Sequence, residues 1–125
     1  MESKKIILAI DDNVVDLRLY NEMLSSKYDL RVVKSASDAI NFMNANSVDL
    51  ILLDIEMPNI NGFEFLSDIR KIPSYIVKPI IIVSANTGDK FFRQARNSSA
   101  ADVLTKPVSA EVLVKTIEKT LAEAV

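Results

Sequence analysis

The sequence predicts an α/β fold in which a five-stranded parallel sheet is sandwiched between helices, and three observations carry that prediction. Five short runs rich in Ile, Val and Leu, at residues 6–10, 30–33, 50–53, 79–83 and 103–104, alternate with stretches of helical periodicity. The central runs are apolar at consecutive positions, as in strands covered on both faces. No linker, repeat or low-complexity tract breaks the alternation, so successive strands are joined through helices by right-handed crossovers and all point the same way.

The first helical stretch places Leu17, Tyr20, Met23 and Leu24 on one face, with Arg18, Asn21 and Glu22 off it. Ser35, three residues before Asp38, opens the second with a short capping box, and Ala36, Ala39, Ile40 and Met43 form its stripe. The third spans about 62–70 with Phe63, Leu66 and Ile69 inward, and stops before Pro73. The fourth, near 89–97, has a short stripe; its adjacent Phe91 and Phe92 cannot both face the core, which leaves one for a partner. The fifth begins at Ser109, with Val112 or Leu113, then Ile117 and Leu121, at helical intervals. Segment 71–78, containing Pro73 and Tyr75, is the one notable loop. Asn61-Gly62 nominally reads as a hairpin turn, but no alternating strand follows it, and the hairpin is rejected.

At 125 residues, 49% hydrophobic and 26% charged, the chain reads as one domain over residues 1–125. A chain of this size buries about two thirds of its unfolded surface and needs no metal or disulfide to hold a core. Cysteine and histidine are both absent, which removes thiol nucleophiles, disulfides, imidazole bases and nearly every zinc site. Gly62 and Gly88 are the only glycines, so neither a dinucleotide fingerprint nor a GxxxxGK[ST] phosphate loop can be written. A formal net charge of -2, from 15 basic and 17 acidic residues, gives no electrostatic reason to expect direct nucleic-acid binding. The apolar run after Lys4 and Lys5 ends at Asp11, too short for a signal sequence or a membrane span. A cytoplasmic protein without a membrane partner is expected.

In an open parallel sheet, residues just beyond the strand ends gather along one edge, where such folds bind their ligands. The first strand runs into Asp11-Asp12, the third into Asp54 and the fourth into Ser84, while the fifth leads through Thr105 to Lys106-Pro107. Three carboxylates, a hydroxyl and an amine therefore converge. Carboxylates brought so close repel, and at least one pKa rises, so they call for a cation; hard oxygen donors with room for water suit Mg²⁺. The set points to phosphoryl chemistry in which a carboxylate is the nucleophile and forms an aspartyl phosphate. The metal and Lys106 neutralise the equatorial oxygens, and Ser84 hydrogen-bonds one of them. Taken singly, Asp12 or Asn13 is a helix cap, Asp54 a turn aspartate and Lys106 a solvated amine. Four strand ends supplying suitable groups at one edge outweigh those readings.

The motifs Ile10-Asp11-Asp12, Leu52-Leu53-Asp54-Ile55-Glu56-Met57-Pro58, Gly62, Ser84-Ala85 and Lys106-Pro107, in this order and spacing, resemble the receiver domain of two-component response regulators. The resemblance covers practically the whole chain. It implies a flavodoxin-like, doubly wound sheet of order 2-1-3-4-5 with five helices. It also implies that Asp54 is the phosphoacceptor, that Asp12 binds Mg²⁺ directly with Asp11 acting mainly through water, and that the Glu56 backbone carbonyl completes the protein's metal ligands. By the same match, Ser84 is the switch hydroxyl, Lys106 the phosphate-pairing amine, and the Lys106-Pro107 peptide cis, a geometry that a following proline makes accessible. The donor implied is a phosphohistidine on a sensor histidine kinase or histidine phosphotransfer protein. The output implied is a protein partner at the surface of the fourth helix, fifth strand and fifth helix. Receivers catalyse only their own phosphorylation and slow autodephosphorylation, so an enzyme in the usual sense is not expected. A stand-alone regulator that acts by docking to partners is expected, with a receiver excised from a longer protein as the alternative.

One departure matters. Three residues before Lys106, where receivers usually carry a swinging Tyr or Phe, stands Val103. It keeps open a phosphorylation-independent pseudo-receiver acting as an interaction module, against which the intact acidic set argues. Glu56 and Asn86, two places after Asp54 and Ser84, flank the expected path of attacking water, and Ala85 leaves it open. A haloacid-dehalogenase-like phosphatase needs an Asp-x-Asp motif after the first strand, which Asp11-Asp12-Asn13 does not supply.

Overall fold

The computed structural model describes residues 3–124. Five strands, β1 (Ile6–Ile10), β2 (Asp29–Val33), β3 (Leu50–Leu53), β4 (Ile80–Ser84) and β5 (Asp102–Thr105), alternate with helices α1 (Val14–Leu24), α2 (Ala36–Ala45), α3 (Gly62–Arg70), α4 (Asp89–Arg96) and α5 (Ala110–Glu123). Every pairing is parallel and the sheet order is β2-β1-β3-β4-β5, the doubly wound, flavodoxin-like arrangement expected. β3 and β4 are buried at every residue, whereas β2, at an edge, is not. That difference explains why the central strands read as unbroken apolar runs and β2 carries Asp29 and Arg31, paired to each other on its exposed side.

Successive side chains of a strand point to opposite faces, and the two cores follow that alternation. Leu8, Ile10, Ile51, Leu53, Ile80 and Ile82 pack under α2, α3 and α4. Ile7, Ala9, Leu50, Leu52, Ile81 and Val83 pack under α1 and α5. In α1, Leu17, Tyr20 and Leu24 are buried; in α5, Leu113 and Ile117 are buried while Val112 is exposed, which decides between the two alternatives there. Four helices are capped by side chains: Asn13 accepts from Val15 and Asp16 N–H and Ser35 from Asp38, as expected, and Asn61 accepts from Phe63 and Glu64 and Ser109 from Val112. Asn61-Gly62 thus opens α3, as its rejection as a hairpin required.

Several expectations shift. Strand β2 starts at Asp29, whose N–H bonds Lys5 O. Strand β4 starts after Pro79, which has no N–H to give, and β5 runs from Asp102 to Thr105 because both ends pair with β4. Helix α4 ends at Arg96, with Asn97 as its cap. On α3, Phe65 takes the core position expected of Phe63; Phe63 is half-buried and turns to α4, its ring 5.9 Å from that of Phe91. Segment 71–78 is not a slack loop. It contains a 3₁₀ turn (Pro73–Tyr75) whose Tyr75 is wholly buried, and the Arg70 guanidinium donates to the Tyr75 and Lys78 carbonyls.

Gly62 closes the site's underside. A β-carbon there would collide with the Ile55 carbonyl oxygen and sit 2.6 Å from the Ile55 Cγ2, atoms of the loop that follows Asp54. Gly62→Ala must push backbone apart, and overpacking of this kind costs about 1–3 kcal/mol. The expected result is a denaturation midpoint lowered accordingly with an unchanged m-value; an unperturbed midpoint would show that the loop yields freely.

Candidate functional site

All five strands deliver their carboxyl ends to one edge, and the predicted polar residues meet there. Asp11 follows β1, its N–H bonded to Val33 O, and Asp54 follows β3, its N–H bonded to Ile10 O. These backbone bonds hold both residues against the sheet, and both side chains are buried. Asp12 is exposed. Carboxylate oxygens of Asp11, Asp12 and Asp54 all lie within 4.8 Å of one another.

From the far side of the sheet edge, Lys106 reaches into this cluster. Its Nζ lies 2.9 Å from Asp11 Oδ2, 3.4 Å from Asp54 Oδ2 and 2.8 Å from Asp16 Oδ2. The Lys106-Pro107 peptide is cis. Burial by itself would depress the Lys106 pKa, but its bonds to Asp16 and Asp11 outweigh that and hold the amine above its ordinary value. Burial acts oppositely on Asp11: it pushes that carboxyl up to about 6, against hydrogen bonds from the Asn13 N–H and Lys106 and with the charge of Asp54 adding to the rise. Tyr20, packed beneath on α1, is likewise raised by burial.

Ser84 is buried at the end of β4. Its hydroxyl donates to Glu56 Oε1 at 2.7 Å, and Asn86 Nδ2 donates to Glu56 Oε2 at 3.4 Å. The Glu56 N–H in turn donates to Asp54 Oδ1 at 2.9 Å. Thus Asp11, Asp12, Asp54 and Lys106 form one group, and Ser84 is joined to it through Glu56 rather than directly.

Asp16 is the residue that sequence reasoning missed. As an acidic residue in the first turn of α1 it reads as a partner of the helix dipole, and the available signal was its position five residues after Asp11. Phe91 is buried and Phe92 half-buried, the two rings meeting edge to face at 5.5 Å. Val103 is half-buried beside Phe92 and Ala95, where a groove of about 400 Å³ runs between α4 and β5.

The donor set is all oxygen, three carboxylates of which one is solvent-facing, with neither histidine nor cysteine in the chain. That chemistry fits a hard divalent cation that keeps several waters.

A doubly wound parallel sheet with an acidic cluster and a lysine at its carboxyl edge defines a CheY-like fold. The chain belongs to the response regulator receiver domain family of two-component signalling, whose family model matches residues 7–118. It is 32% identical over 118 residues to Protein PilH of Pseudomonas aeruginosa, covering 93% of this chain and 97% of that protein. It is 30% identical over 113 residues to the sensor histidine kinase RcsC of Salmonella typhimurium, covering 90% of this chain. The chain spans 12% of that kinase's length. Among solved structures, a CheY-like receiver domain protein from Methanospirillum hungatei superposes with a TM-score of 0.89 at 24% identity, covering 98% of this chain and 97% of that one. The receiver domain of sensor histidine kinase PA1611 from Pseudomonas aeruginosa, solved with a magnesium ion in its active-site cleft, gives 0.87 at 24% identity over 96% and 99%. Among the described residues, no helix is long and apolar enough to cross a membrane.

Proposed function

We propose that the chain, as a single receiver domain over residues 1–125, is a phosphoacceptor that takes a phosphoryl group on Asp54 from a phosphohistidine donor in the cytoplasm. The observation that carries this reading is the convergence of Asp11, Asp12 and Asp54 within one ligand sphere with the Lys106 amine in contact with two of them. Asp54 oxygen attacks phosphorus; a P–O bond forms as the P–N bond of the donor breaks, and the departing imidazole nitrogen keeps the electron pair and takes up a proton. Lys106 leaves its carboxylate partners to pair with an equatorial phosphoryl oxygen, and Ser84 hydrogen-bonds another. Asp11, Asp12, Asp54 and the Glu56 carbonyl would hold Mg²⁺, which when bound neutralises the gathering negative charge. The magnesium of the Pseudomonas aeruginosa receiver and the match to a stretch of a sensor histidine kinase support the cation and the donor class.

The donor is a sensor histidine kinase or a histidine phosphotransfer protein. Exposed Val14, Val15 and Leu19 on α1, beside the acidic edge, offer it apolar contact. The output passes to a protein partner at the α4, β5 and α5 surface, with neither nucleic acid nor membrane as direct partner. The chain is no enzyme in the usual sense: it catalyses only its own phosphorylation and slow autodephosphorylation.

Incubation with Mg²⁺ and acetyl phosphate tests the reading. Intact mass is expected to gain one PO₃ unit, and to gain none when EDTA replaces the metal; an adduct indifferent to EDTA would overturn it. A second measurement follows from Asp11. Its pKa near 6 means that a proton competes with the cation below that pH. Magnesium affinity is expected to be flat above pH 6 and to fall about tenfold per unit below it, read by calorimetric titration between pH 5 and 8. The sign for the metal-free fold is opposite: because the carboxyl is raised, its ionisation opposes folding above pH 6 and that penalty disappears as pH falls through 6 toward 4.

A further inference from the structure

The Glu56 side chain occupies a place that metal binding does not require, since the metal-binding role proposed for Glu56 uses only its backbone carbonyl. A hydroxyl has a single proton to donate, and that of Ser84 is given to Glu56 Oε1. It cannot simultaneously be given to a phosphoryl oxygen on Asp54. The same carboxylate accepts from Asn86 Nδ2, while the Asn86 N–H donates to Ser84 Oγ at 3.1 Å and Asn86 Oδ1 accepts from the Gly88 N–H at 2.9 Å. Gly88 is the N-cap residue of α4. One carboxylate therefore ties the switch hydroxyl to the loop that leads into α4, and through its own backbone N–H it is bonded to Asp54.

We propose that the Glu56 side chain is a positioning residue that stands in for a phosphoryl oxygen: it holds Ser84 and the 84–88 loop in the unphosphorylated arrangement, and phosphorylation takes effect by displacing it. The inference rests on the phosphoacceptor reading above. Displacement is favoured twice over. A phosphoryl group on Asp54 offers Ser84 an alternative anionic acceptor, and it sets like charge against the Glu56 carboxylate two residues away. With Val103 supplying no aromatic lever, release of this tether is the route by which Asp54 chemistry reaches α4. A state held by Glu56 must be left before the anion is fully bound, so the tether lowers apparent affinity for any phosphoryl mimic.

Beryllofluoride titration at saturating Mg²⁺, followed by the backbone amide resonances of residues 84–88, tests this with Glu56→Ala, Glu56→Gln, Ser84→Ala and the Glu56→Ala/Ser84→Ala pair. Glu56 is exposed and its backbone carbonyl survives substitution, so both variants should fold. Glu56→Ala is expected to bind beryllofluoride about tenfold more tightly than the wild type, a change of about 1.4 kcal/mol. Its loop resonances, with Mg²⁺ alone, move toward their beryllofluoride-bound positions. Glu56→Gln, which keeps an acceptor without the charge, falls between. In the Ser84→Ala background the gain shrinks to what relief of the like charge alone supplies, because the tether needs both residues. Unchanged affinity and loop shifts in Glu56→Ala, or an equal gain in the Ser84→Ala background, would overturn the tether. If the wild type itself fails to bind beryllofluoride, the phosphoacceptor reading fails and the tether falls with it.

Discussion

Asp54→Asn is expected to abolish phosphoryl uptake entirely while leaving the fold as stable as the wild type or slightly more so. The amide is no nucleophile toward phosphorus, so after incubation with Mg²⁺ and acetyl phosphate its mass stays at that of the unmodified chain. Its stability follows from the geometry. The side-chain carbonyl oxygen of the substituted amide can still accept the Glu56 N–H that Asp54 Oδ1 accepts, and Lys106 keeps its two shorter bonds, to Asp16 and Asp11. What is lost is the 3.4 Å contact to Lys106, and what is relieved is the repulsion that helps raise Asp11. The balance is a gain of up to about 1 kcal/mol in EDTA, as at other sites where function is held at the expense of stability. Residual phosphorylation of the variant at another residue would remove Asp54 from its assigned role.

Lys106→Ala carries the largest expected stability loss. One amine serves three carboxylates, and two of them, Asp11 and Asp54, are buried. Removing one partner of a buried ion pair costs roughly 3–5 kcal/mol. Lys106 and Asp16 retain some solvent contact, which places the expected loss near the lower end, about 3 kcal/mol in metal-free buffer at pH 7. The penalty is carried by ionised carboxylates, so it shrinks as Asp11 takes up its proton below pH 6. It also shrinks when Mg²⁺ supplies the missing positive charge. Chemical denaturation with and without Mg²⁺, at pH 5 and pH 7, reads all of this. Phosphoryl uptake from acetyl phosphate falls about 10²-fold even with the metal, because a donor aimed at developing charge has gone. A variant as stable as wild type in EDTA would mean that Lys106 is solvated rather than paired.

Most of the architecture is legible in the sequence. Runs such as 50–53, apolar at every position, announce strands covered on both faces, and helical stripes between them leave only a parallel sheet. The acidic site was legible for the same reason: in a parallel sheet, Asp11, Asp12, Asp54, Ser84 and Lys106 must share an edge whatever the details of packing. Boundaries were less so. Strand β5 extends beyond its apolar residues because its ends, Asp102 and Thr105, are polar residues recruited by pairing with β4, and pairing is not visible in a single strand's composition. Phe63 reads as inward because it lies one turn before Leu66, but Phe65 lies one turn before Ile69 and satisfies a stripe equally well. Only the placement of α4, which draws the Phe63 ring to Phe91, separates core from seam. Tyr75 lay in what reads as a loop, yet its ring is buried and its hydroxyl meets the Asn46 carbonyl.

Chemistry-bearing residue types and the edge where they meet were determined by the sequence itself, since strand direction and alternation are local properties repeated five times. Who bonds to whom at that edge was decided only by the tertiary structure. Lys106 selects Asp16 as well as Asp11, and Ser84 selects Glu56, across separations of 90 and 28 residues. Such pairs depend on side-chain rotamers and on helix placement to within an ångström or two. Both are set by how α1 and the loop after β3 pack on the sheet, which no residue's own neighbourhood in the chain encodes.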